Sequence, residues 1–125
     1  MTFLTSWQFW VVVGFIICSA TCKAVNDKLL FHFDKSVFRN LNSNYWNPSK
    51  SWQNKYNISN NRFISWLFQN PLVLFTDAWH TFEFLRNFFI FACISVISGN
   101  YWLLLLYFLF TRVFHLFFTY IFKIK

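Results

Sequence analysis

Three long apolar runs constrain this chain more than any other feature. Residues 3–22 contain no charged side chain. As a helix they extend about 30 Å, the thickness of a bilayer's hydrocarbon core. Residues 71–98 read as a second helix, about 42 Å long. Residues 101–122 read as a third, closed by Lys123 and Lys125. Between the last two lies Gly99-Asn100, a turn signal. So short a break forces an antiparallel helical hairpin.

Composition points the same way. Charged residues make up 12% of the 125 positions, about half the share of a soluble domain. There are 20 Phe residues, more than a small water-soluble core can hide. The expected fold class is therefore all-α: a single three-span membrane domain with an interfacial helix, an aromatic-rich loop and a C-terminal helical hairpin. The second helix exceeds the core thickness, so its first turns are assigned to the interface. The spans are then about 3–22, 82–98 and 101–122, with the interfacial helix and loop at about 23–70. A cleaved signal peptide is the rival for the first run. No Lys or Arg precedes Lys23, and Ser19-Ala20-Thr21-Cys22 is a poor cleavage signal, so a retained span is expected.

Residues 23–39 alternate Leu29, Leu30, Phe33 and Val37 with Lys28, Asp34, Lys35 and Arg39. That pattern predicts a helical continuation near the headgroups. Residues 40–61 are Asn-rich and carry Tyr45, Trp46, Trp52 and Tyr56, which predicts a loop ordered by its aromatics. Asn57-Ile58-Ser59 matches a glycosylation sequon, a triplet common by chance in such a composition. Asn70-Pro71 reads as N-cap and first position of the second helix.

The formal charge is +7. Its cations flank apolar segments instead of clustering on a polar face, which favours anionic lipid and topology over nucleic acid. The Lys/Arg bias predicts the N-terminus outside, the central loop inside, the Gly99-Asn100 turn outside and the C-terminus cytoplasmic. The expected partners are the bilayer and either another membrane protein or a second copy of the chain. Cys18, Cys22 and Cys93 form no CxxC pair and read as packing thiols, Cys18 and Cys22 on one helix face.

The hairpin yields a geometric expectation. Folding about the turn sets Glu83 level with Leu116, His80 with Thr119 and Asn87 with Arg112. Asp77, His80, Glu83 and Asn87 share one helix face by spacing, as do Thr111, His115 and Thr119. The two faces can form a polar seam of Glu83, Arg86, Asn87, Arg112 and Thr119. A central Arg112 needs a counter-ion, for which Glu83 is the candidate. Arg86 can pair with Glu83 or reach the headgroups.

Two readings of this segment stand open. In one, the seam is structural glue between helices. In the other, His80, His115 and Asp77 or Glu83 hold a zinc-like divalent metal, with His32 or Asp27 completing the set. The candidate catalytic residues are then Asp77, His80, Glu83 and His115, in a membrane-embedded metal-dependent hydrolase. A proton relay along Asp77, His80, Glu83 and His115 is a further alternative that would need an oligomer. There is no HExxH, GxSxG, Walker loop or GxGxxG.

The strings Trp46-Asn47-Pro48, Ser51-Trp52-Gln53-Asn54-Lys55-Tyr56, Arg62-Phe63 and Thr76-Asp77-Ala78-Trp79-His80, with Arg86 following, resemble those of short uncharacterised integral membrane proteins of Bacteroidetes and their phages. The resemblance covers roughly residues 46–86. It implies a bacterial inner-membrane protein with an inward-facing loop, and it implies no activity. The leading expectation is a structural or accessory membrane protein whose loop engages a partner.

Overall fold

The computed structural model describes residues 5–121; in the last helix, the side chains of residues 112, 114–116 and 118–120 fall outside that description. Among the described residues the regular structure is all helical, without strands. Helix α1 (Ser6–Phe31) starts where Gln8 Oε1 accepts the Thr5 backbone N–H at 2.9 Å. That reciprocal cap satisfies a donor the helix cannot. No Pro follows to break it, and it runs 26 residues, carrying the first apolar run and the charged turns beyond it in one rod. It ends at His32, followed by two 3-10 turns, Phe33–Lys35 and Val37–Asn40. The helix expected over 23–39 is therefore the tail of α1 plus these turns.

The expected loop is folded. Three single-turn helices occupy it: α2 (Ser43–Trp46), α3 (Pro48–Ser51) and α4 (Asn54–Asn57). Asparagine is the reason. Asn42 and Asn47 side chains accept the N–H groups of Asn44 and Ser49, each at 3.0 Å. Asn61 accepts from Phe63 and Ile64 to cap α5 (Arg62–Gln69). Asn-rich composition thus works here as repeated helix capping.

The second long helix begins later than Asn70-Pro71 predicts. The Asn70 N–H turns back to the carbonyls of Leu67 and Trp66 and closes α5. A 3-10 turn, Val73–Phe75, follows. Helix α6 (Ala78–Ser98) then starts at Asp77, whose extended backbone and carboxylate make it the N-cap. An aspartate there also opposes the positive end of the helix dipole. The 21 residues of α6 rise about 32 Å, so no interfacial extension is needed to fit a core. Gly99 closes α6 with φ +65°, a left-handed cap that a Cβ would disfavour. Helix α7 (Trp102–Ile121) returns from it.

Helices α1 and α6 are each long and apolar enough to cross a membrane. Only 11% and 22% of their most apolar windows are buried. A core helix of a soluble protein hides most of such a face, whereas Ile16, Ile17, Ile90, Ile94 and Ile97 are exposed.

The two helices run antiparallel and in close register. Cys93 Sγ donates to Val12 O at 3.7 Å, the Phe15 and Phe89 rings meet at 5.8 Å, and Ser19 Oγ donates to Arg86 O at 3.3 Å. On α1 the positions Val12, Phe15, Ser19, Cys22, Asn26 and Leu29 follow alternating spacings of three and four, the seam of two aligned helices. Cys22 and Cys93 are buried and Cys18 is exposed, so Cys18 and Cys22 do not share the packing face expected of them. On its other side, α6 meets α7 through rings. Phe91 stacks on Tyr107 at 4.1 Å, one residue from the level that the turn predicts. Phe108 reaches Phe88 and Phe84, so the level rule loosens away from the turn.

Candidate functional site

Among the described residues, the Thr76 to Thr81 corner is densely bonded. Asp77 is 2% exposed. Its Oδ1 accepts the His80 N–H at 2.9 Å, and its Oδ2 accepts from His80 Nδ1 at 2.7 Å; Thr76 Oγ1 lies 3.2 Å from Oδ2 and shares its one hydrogen between that oxygen and Val73 O at 2.7 Å. An ionised carboxylate only accepts, so Nδ1 is the donor of this bond. Burial pushes the Asp77 pKa up, but the His80 side chain, the His80 N–H, the His80 charge and the Thr76 hydroxyl together hold it below the ordinary carboxylate value. The site is thus built to keep Asp77 charged.

The same corner fastens the folded segment of residues 32–77, hereafter the headpiece, to α6. Thr81 Oγ1 donates to Leu74 O, and its one hydrogen is then spent. Tyr45 therefore donates its phenol to Thr81 Oγ1, at 2.7 Å. Asn54 Nδ2 donates to Thr76 O at 2.9 Å and to Asn44 O. Trp46 stacks on Phe38 and packs against Phe82 at 5.9 Å, joining the first part of the headpiece to the helix. Sequence reasoning singled out Asp77 and His80 and missed Tyr45, Asn54 and Thr81. Their signal was faint: polar side chains whose partners lie across long sequence gaps.

One turn further along, Glu83 sits among three donors. Arg86 Nη2 reaches Oε1 at 2.7 Å, Asn87 Nδ2 reaches Oε1 at 3.3 Å, and Asn26 Nδ2 from α1 reaches Oε2 at 3.0 Å. The polar seam therefore ties α6 to α1, a helix that the hairpin argument left out. Asn26 is 3% exposed and lies in register on the three-and-four seam, the signal that would have found it. Arg86 pairs with Glu83, as their spacing of three allows. The side chains of Arg112, His115 and Thr119 lie outside the described residues.

Two cavities adjoin these groups. One, of ≈ 300 Å³, is bordered by His80, Glu83, Asn87, Tyr107 and Thr111, with Lys55 at its edge. It brings together members of both predicted faces, α6 and α7. The other, of ≈ 280 Å³, is bordered by Asp77, Trp79, His80 and Ser51. No hydrogen bond joins Ser51 to His80 among the described residues, so the aspartate-histidine pair there has no aligned nucleophile. Among the described residues no three of His, Cys, Asp and Glu converge as metal ligands. His32 caps α1 beside Lys28 and Lys35, apart from the Asp77-His80 pair, and Asp27 is paired with Lys23 at 2.7 Å. The set of His32, Asp77 and His80 is thus not assembled. The arrangement holds Asp77 charged, surrounds Glu83 with donors, caps a helix and locks a headpiece.

The chain matches no protein-family model, no curated protein and no solved structure.

Proposed function

We propose that this chain is a small multi-pass protein of a bacterial inner membrane, of accessory type. In this reading α1, α6 and α7 are three spans, and the headpiece is a cytoplasmic docking platform for another membrane protein or a second copy of the chain. The observation that carries the reading is the headpiece itself. From Lys35 to Thr76 it holds Lys35, Arg39, Lys50, Lys55 and Arg62 and no acid, the composition of an inward-facing segment. It is folded and anchored, yet Trp52, Tyr56, Phe63 and Trp66 remain exposed. Rigid exposed aromatics beside cations are the side chains that dominate binding surfaces. The apolar outer faces of α1 and α6 support lipid as their solvent. The register of α1 along α6 supports a retained helix. The N-terminus outside and the C-terminus inside follow from the charge bias.

A photo-crosslinking residue at Trp52 or Phe63 in native membranes tests this. A discrete protein adduct, including an adduct to a second copy, is expected. Adducts to lipid alone would overturn the docking role. Labelling of the headpiece from the outer side would overturn the orientation.

A further inference from the structure

A groove of ≈ 480 Å³ runs along the contact of α1 and α6. Its walls are Ile16 and Ala20 on α1 and Ile90 and Ile94 on α6. Lys23 and Arg86 stand at one end of it. The groove exists because Ser19, Ala20 and Cys93 are small where the helices meet. The pairing of Ser19 with Arg86 puts Lys23 level with Phe82, one turn toward the headpiece from Arg86. From that level to Ile94 the groove extends about 18 Å along α6, close to one leaflet's share of a 30 Å core.

We propose that this groove is a binding site for one anionic glycerophospholipid of the headpiece-side leaflet. An acyl chain lies along Ala20, Ile16, Ile90 and Ile94, and the phosphate sits between Lys23 and Arg86. The inference rests on the membrane reading above. Three observations select this occupant. An apolar channel one leaflet deep, capped by cations, matches a lipid in both length and charge. Lys23 Nζ lies 2.7 Å from Asp27 Oδ2, and Asp27 is the residue further along α1 toward the headpiece, so the ammonium lies at the interface end. That contact occupies one of three ammonium donors. Arg86 borders the groove and uses only Nη2 for Glu83 and Asn87 in the bonds that hold it. A guanidinium carries five N–H donors, and one with donors to spare takes phosphate oxygens readily.

Native mass spectrometry of the purified full chain, with equal added phosphatidylglycerol and phosphatidylcholine of the same acyl chains, tests the site. The wild type is expected to retain one phosphatidylglycerol over phosphatidylcholine by about fivefold, the preference that one lysine near an anionic surface gives. Lys23→Gln should keep the lipid and lose the preference. Ala20→Phe should fill the groove and lose the lipid. Equal retention of both lipids by the wild type, or unchanged retention by Ala20→Phe, would overturn the site. Should Ala20→Phe fail to fold, photoactivatable phosphatidylglycerol on the wild type decides. Labelling centred on residues 90–94 supports the groove, and even labelling of α1, α6 and α7 rejects it. Recovery of the chain in a soluble fraction would instead overturn the membrane reading itself.

Discussion

Helix α6 has two flanks, and they are built from different materials. Toward α1 it presents Cys93, Glu83 and the Arg86 carbonyl, and hydrogen bonds cross the contact at three levels. Toward α7 it presents Phe84, Phe88 and Phe91, whose rings meet Tyr107 and Phe108. On the proposed membrane reading, apolar surface gains little by leaving acyl chains for another helix. Rings alone therefore specify partner and register weakly, and the Gly99 turn supplies what they lack. Helix α1 is joined to α6 only through the long headpiece, so polar bonds have to fix its register. The tethered pair can be greasy, while the untethered pair needs polar contacts.

The comparison can be broken first at Glu83. Cutting a fully buried ion pair costs about 3–5 kcal/mol, and since both side chains here are 30% exposed, about 2 kcal/mol is expected for Glu83→Leu. Reversible unfolding in mixed micelles measures it. The double change Glu83→Leu with Arg86→Leu should recover much of the loss, because no charge is then left unpaired.

Asp77→Ala tests the headpiece end. Loss of the N-cap should cost about 1–2 kcal/mol and loosen the corner, read as faster proteolysis of the headpiece. A pH series adds a sign. The folded pKa of Asp77 lies below the unfolded value. Its stabilisation is thus fully present above an unfolded pKa of about 3.9 and is lost as pH falls through the lower folded value. Wild type and Asp77→Ala should therefore converge in stability toward the acid end. Persistent separation there would contradict the assignment.

These residues also mark how far sequence alone reaches. The long helices, the Gly99 turn and the weight of the Asp77 to Arg86 segment are legible, because apolar length and rare charges are local signals. The headpiece is not. Asn42, Asn47 and Asn61 look like loop composition until each is seen capping a turn. Helix α6 starts later than Asn70-Pro71 signals, because that good local signal is overridden by an aspartate with better partners. Asn26 was missed because hairpin geometry says nothing about a helix that arrives from far away in sequence.

Asn26→Leu should cost about 1 kcal/mol, the scale of one hydrogen bond between membrane helices. On the opposite flank, Phe91→Leu should cost least, about 0.5–1 kcal/mol for the ring contact with Tyr107. It should leave the register of α1 unchanged, as judged by cysteine crosslinking across α1 and α6. A shift of that register would remove the distinction between the flanks.

The most direct measurement is a double-mutant cycle between Asn26→Leu and Glu83→Gln, with stability read by unfolding in the same micelles. A polar seam that joins α1 to α6 predicts a coupling of about 0.6 kcal/mol and at most about 1.7, the mean and the maximum found for hydrogen bonds between membrane helices. Strictly additive effects would mean that Asn26 and Glu83 do not hold the two helices together, and would contradict the account.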